Sequence, residues 1–163
     1  MSAPLQVCFN SPQSGWMSLE LRSGAQHFVE AVCHAPYDSL PALINALATL
    51  LLVVADTSVT VSWGVNPDEL DFTFTARGAE LTLEVVWYRD HGREPGTGEP
   101  QFSYRGPKFD VCRAFWRALR ALQTNAEVDE FARNWRREFP ARELQALTQL
   151  VEPRKRAERP AGA

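Results

Sequence analysis

Asp71 and Glu84 are the two side chains in this sequence whose types and spacing most invite chemistry. Turn signals at Asn66-Pro67-Asp68-Glu69 and Ala76-Arg77-Gly78-Ala79 divide the stretch from Val61 to Val85 into three strands. Closing each turn as a hairpin sets Trp63 opposite Phe72, Phe74 opposite Leu81 and Asp71 opposite Glu84. Opposed carboxylates about 5 Å apart repel one another. Three arrangements relieve that: a cation from a partner protein or a metal, a local arginine such as Arg22, or one carboxyl keeping its proton for acid/base work. The same polar face carries Thr60, Ser62, Gly64, Thr73, Thr75, Glu80 and Thr82. An open hydroxyl-rich face offers no water-excluding pocket, so binding ranks ahead of a hydrolase built on the Asp71/Glu84 pair.

Other candidates are weaker. His27, His34 and His91 are scattered, and the adjacent Cys33-His34 would point to opposite sides of a strand, so neither a metal site nor a catalytic residue is expected. Cys33 and Cys112 lie where core packing explains them. Gly96-Thr97-Gly98 lacks the strand-to-helix setting and third glycine of a phosphate loop, and no cofactor is expected. Arg113, Arg117 and Arg120 recur at helical spacing, and Arg133, Arg136 and Arg137 repeat the theme. Such a face suits RNA, and equally a solvated helix surface.

The elements that must position these residues follow from periodicity. Strands are expected over residues 5–9, 16–22 and 26–33, and a helix, capped by Asp38 or Ser39, carries Leu40, Leu43, Ile44, Leu47, Leu50 and Leu51. The three strands around Trp63, Phe72 and Leu83 come next, then a Gly/Pro loop from Asp90 and a short strand over 101–105. From residue 108 the chain reads as helical: one stripe from Phe109 to Leu122, a Thr124/Glu127 capping box before Phe131 and Trp135, and a last helix after Pro140 with Leu144, Leu147 and Val151. Apolar sheet face and apolar helix stripes must pack together. The expected fold is α+β and two-layered: a mostly antiparallel meander sheet with helices on one face, in the order strand-strand-strand-helix-strand-strand-strand-(strand)-helix-helix-helix. One domain is expected over residues 1–151, with a flexible basic tail over 152–163.

At 163 residues, 45% hydrophobic and 23% charged, the chain has the composition of one globular domain. Its apolar run from Leu43 to Ala55 falls short of the roughly 20 residues of a membrane span. The start, MSAPLQVCFN, shows neither a basic nor an apolar signal region, and three cysteines make no even framework. A cytoplasmic setting is expected. Residues 1–107 hold 5 Arg, no Lys and 12 Asp or Glu, a net of −7; residues 108–163 hold 12 basic and 8 acidic residues, a net of +4. That division argues against a phosphate-binding surface over the whole molecule and leaves the strand-rich part to attract a basic partner.

From Trp63 to Val85, the sequence of Trp, a Pro-acidic turn (Pro67, Glu69), Phe74, Arg77-Gly78, Leu81, Leu83 and Val85 resembles the central hairpins of a group of small, uncharacterised single-domain bacterial proteins. Phe115-Trp116-Arg117-Ala118-Leu119, Trp135 and Phe139-Pro140 are similar to that group's helical end. The resemblance covers roughly residues 16 to 151 and carries over no catalytic residue. By analogy with immunity and antitoxin proteins it implies a non-catalytic inhibitor of another protein, such as a cognate toxin. On that reading Asp71, Thr73, Glu80, Thr82 and Glu84 meet a basic partner, with Trp16 and Tyr88 as aromatic anchors. Alternatives are an RNA-binding accessory using Arg113, Arg117 and Arg120, and the hydrolase above. Unclosed sheet edges add dimerisation by strand pairing; no membrane partner is expected.

Overall fold

The structure, a computed structural model, describes residues 3–125 and 128–158, the side chains of 128 and 129 excepted. Its elements are β1 (Gln6–Phe9), β2 (Trp16–Ser23), β3 (Gln26–Cys33), α1 (Ser39–Leu52), β4 (Thr57–Gly64), β5 (Glu69–Arg77), β6 (Glu80–Tyr88), β7 (Glu99–Pro107), α2 (Lys108–Asn125), α3 (Val128–Trp135) and α4 (Ala141–Glu158). The seven strands form one antiparallel sheet in chain order, an α+β meander.

Alternation decides the faces. Val61, Trp63, Leu70, Phe72, Phe74, Leu81, Leu83 and Val85 are all buried on one side. β3 and β4 meet only where Cys33 pairs with Gly64, and the β1–β3 meander then folds over the apolar face. There Phe28 meets the Phe72 ring edge-on at 6.3 Å, and Phe9 lies 6.4 Å from Trp63. Helices were expected to cover the apolar face; β1–β3 share the work, because Leu19, Leu21 and Phe28 give that meander an apolar side of its own. α2 brings Phe115 to Phe74 with ring centroids 5.4 Å apart, and α1 packs beside β4.

α4 forms a further layer on α1 and α2 through Leu144, Leu147 and Val151. It ties down the end of α1, which has no basic residue in its last turn: Arg154 Nη2 donates to the Leu51 carbonyl at 3.1 Å. This explains why helix continues past Pro153 into the segment expected to be tail. Arg154 Nη1 holds the Leu150 carbonyl, and Glu158 meets Arg113 at 3.2 Å. Residues 159–163 and Glu127 of the expected capping box lie outside the described residues. At the other end of α1 neither Asp38 nor Ser39 caps with its side chain; Ser39 Oγ donates instead to the Ser62 carbonyl at 2.6 Å. Among the described residues no helix is long and apolar enough to cross a membrane.

The hairpin register departs from expectation by two residues. Trp63 faces Leu70, Val61 faces Phe72, Phe74 faces Leu83 and Phe72 faces Val85. The first loop spans residues 65–68, closed by Val65 N–H on the Asp68 carbonyl at 2.9 Å, and the second is the two-residue Gly78-Ala79 with Gly78 left-handed at φ +59°. An even shift preserves every face, so the apolar side survives intact. The acidic pair does not. Asp71 lies between Ser62 and Val86, and Glu84 between Thr73 and Ser103.

Candidate functional site

The candidate site is the outer face of β4–β7, opposite the buried aromatic side. Pairing carries one row across the sheet: Trp16, Cys33, Gly64, Glu69, Tyr88. Two segments cross this end. The chain after β3 presses so close to Gly64 that a Cβ there would collide with the Ala35 carbonyl, which is why only glycine fits. The loop after β6 folds back to deliver Arg93 in a left-handed conformation, φ +47°.

Arg93 is the centre of a closed polar cluster. Its Nε and Nη2 grip Asp71 in a bidentate pair at 2.7 and 2.8 Å, and Nη1 meets Glu69 Oε1 at 2.7 Å. Nη1 also donates to the His91 carbonyl at 3.2 Å and Nη2 to Ser62 Oγ at 3.3 Å, so all three guanidinium nitrogens are engaged. Ser62 Oγ donates to Asp71 Oδ1 at 2.7 Å, Tyr37 OH donates to Glu69 Oε1 at 2.9 Å, and His91 Nδ1 lies 3.0 Å from Glu69 Oε2. The guanidinium also sits 5.6 Å from the centroid of the Tyr88 ring.

The electrostatics follow from that crowding. Burial pushes the Glu69 carboxyl up, but the His91 and Tyr37 hydrogen bonds and the Arg93 charge outweigh it and hold Glu69 below its ordinary range. The Asp71 hydrogen bonds hold Arg93 protonated more firmly than a free arginine. Burial, and then the hydrogen bond to Glu69, raise Tyr37. Chemically the cluster is a carboxylate cradle filled by its own guanidinium. Its hydroxyl nearest a carboxylate, Ser62, donates to Asp71, so the arrangement pins the loop after β6 to the sheet.

The open end lies beyond Thr73. Glu80, Glu84, Ser58 and Thr60 are exposed there, and Thr73, Thr75 and Thr82 half-buried. Hydroxyls pair across β4 and β5, Thr60 with Thr73 at 3.0 Å and Ser58 with Thr75 at 3.2 Å. Arg105 of β7 binds Glu80. Glu84 has no cation within ion-pair distance among the described residues. Arg22, expected near the acidic pair, binds Glu20 and His27 on the other half of the sheet.

The expected site residues thus separate. Thr73, Glu80, Thr82 and Glu84 share one open area, Asp71 is withdrawn under Arg93, Tyr88 is half-buried against Arg93, and Trp16 is exposed at the far end of the same row. On α2, Arg113 pairs with Asp110 and Glu158 and Arg120 lies over the Trp116 ring, while Arg117 is exposed. Among the described residues no three His, Cys, Asp or Glu side chains are placed to hold a metal ion. Sequence reading missed Tyr37, Glu69 and Arg93. Glu69 reads as a turn residue, and no spacing rule links Arg93, in a Gly/Pro loop, to strand carboxylates; the one available signal was the need of Asp71 for a cation. Comparison with known proteins finds no matching family model, no matching curated protein and no matching solved structure.

Proposed function

We propose that this chain is a non-catalytic protein-binding protein of the immunity or antitoxin type, docking a basic partner surface on the open end of its outer sheet face. The observation that supports this most is Glu84, an exposed carboxylate without a counter-charge among the described residues, set in register between the Thr73 and Ser103 hydroxyls. A partner's Arg or Lys would complete it, and the neighbouring Thr75, Thr82 and Glu80 would extend the contact. The acidic excess of residues 1–107 and the basic excess of 108–163 would orient a basic partner toward the strands and away from the helices. The hydrolase reading loses its geometry with the Asp71/Glu84 pair. The proposed setting is cytoplasmic, in keeping with three free thiols at Cys8, Cys33 and Cys112.

The test is affinity capture from the source cells with three baits: wild type, Glu80→Lys/Glu84→Lys, and Arg113→Glu/Arg117→Glu/Arg120→Glu. A basic protein held by the first and third baits and lost from the second is the expected result. Loss from the third bait alone, with nucleic acid as the retained species, would overturn the proposal in favour of the helix face.

A further inference from the structure

A cleft of about 560 Å³ opens where the end of β7, the first half of α2 and the segment before β1 converge. That volume lies within the roughly 300–1,000 Å³ of small-molecule sites. The α2 wall of the cleft is one helix face, Asp110, Arg113, Ala114 and Arg117, whose spacings of three, one and three stack them over two turns. Leu5, from the segment before β1, and Pro107, where β7 runs into α2, add apolar surface.

Tyr104 brings a hydroxyl to this cleft from the buried side of the sheet, where it pairs with Leu83. Its side chain leans along β7 over Gly106, so closely that a Cβ at 106 would lie 2.9 Å from the hydroxyl. The residue is 9% exposed, and its hydroxyl makes no hydrogen bond among the described residues. The one side-chain polar atom sealed from solvent without a partner is Trp63 Nε1, so the Tyr104 hydroxyl reaches the cleft that its residue lines. A tyrosine so withdrawn ordinarily finds a polar partner. Here the space for one is the cleft.

The arginines of the cleft are matched unequally. Arg105 binds Glu80, and Arg113 meets Asp110 at 3.4 Å and Glu158 at 3.2 Å. Arg117, exposed one turn further along α2, has no carboxylate within ion-pair distance among the described residues. One uncommitted positive charge and one uncommitted hydroxyl therefore stand beside the apolar surface of Leu5, Ala114 and Pro107. We infer that this cleft binds a small organic acid carrying a single carboxylate. The carboxylate accepts from the Tyr104 hydroxyl and meets the Arg117 charge, and the apolar body of the acid lies on Leu5, Ala114 and Pro107. A phosphate monoester fits less well, because Glu80 and Asp110 stand in the same cleft and repel its second negative charge. The inference does not rest on the proposed function: capture of a partner through Glu84 and binding of an acid beside Tyr104 can each fail alone.

Calorimetric titration of the full chain with phenylacetate and with hexanoate tests this. At least one acid is expected to saturate a single site, with phenylacetamide, the neutral counterpart of the first, binding about tenfold more weakly or worse. Tyr104→Phe, which keeps the ring, and Arg117→Gln, at an exposed position, are each expected to weaken the acid by about fivefold or more, the loss of a hydrogen bond or charge contact to a carboxylate. Both variants are expected to melt as the wild type does. Arg120→Gln, which lies over Trp116 and outside the cleft, is expected to leave the affinity unchanged. No saturation by either acid at about 10 mM, an affinity weaker than any small-molecule site of use, overturns the inference. So does an amide that binds as tightly as the acid, wild-type affinity in either Tyr104→Phe or Arg117→Gln, or phenyl phosphate binding more tightly than phenylacetate.

Discussion

Arg93 shows how much one side chain from a loop can govern. Without it, Glu69, 1% exposed, and Asp71 would be left as two neighbouring carboxylates largely withdrawn from water with no guanidinium between them. Arg93→Ala is therefore expected to lower unfolding free energy by about 3 kcal/mol, the lower end of the cost of breaking a buried pair because the guanidinium is partly exposed. Denaturant titration reads it, and a double-mutant cycle with Asp71→Ala should give strong coupling. Glu69 adds a pH signature. Its carboxyl is held below its unfolded value, so its stabilisation is complete above the ordinary carboxylate range and disappears as pH falls through the lowered native value. Unfolding midpoints measured from neutral to acid pH should fall less steeply for Glu69→Gln than for wild type; equal slopes would contradict this. Two buried tryptophans make a further contrast. Trp116 Nε1 donates to Thr148 Oγ1 at 2.9 Å, whereas Trp63 Nε1 has no partner among the described residues. Trp116→Phe should cost about 1 kcal/mol more than Trp63→Phe, since only the first abolishes a hydrogen bond.

At the scale of elements, the hydrophobic alternation of β4, β5 and β6 was legible because period-two burial tolerates an even slip. The pairing partner was not legible, because it depends on which residues close the turns. Glu69 reads as a turn residue, and becomes a strand residue once Tyr37, His91 and Arg93, 32, 22 and 24 positions away in sequence, satisfy its carboxylate. The same limit hid the path of β1–β3 over the apolar face and the extension of α4 through Pro153, both set by contacts distant in sequence. Gly64 is the position where two such elements touch. Gly64→Ala should destabilise by about 1–3 kcal/mol through overpacking against the Ala35 carbonyl. Gly78→Ala, with open space around it, should cost about 1 kcal/mol through its positive φ alone. Thermal denaturation of the two variants separates collision from conformation.

The whole molecule is divided by charge and by layer. Strands carry the acidic excess and present hydroxyls and Glu84 outward, and the helices lie on the opposite side with most of the cations. The measurement closest to the central claim is the affinity of the captured partner for wild type and for Glu80→Lys/Glu84→Lys, both checked for the same melting temperature. The account predicts that charge reversal weakens binding by tenfold or more, about 1.4 kcal/mol or greater, and that added salt weakens the wild-type complex. An unchanged Kd with an intact fold would contradict it.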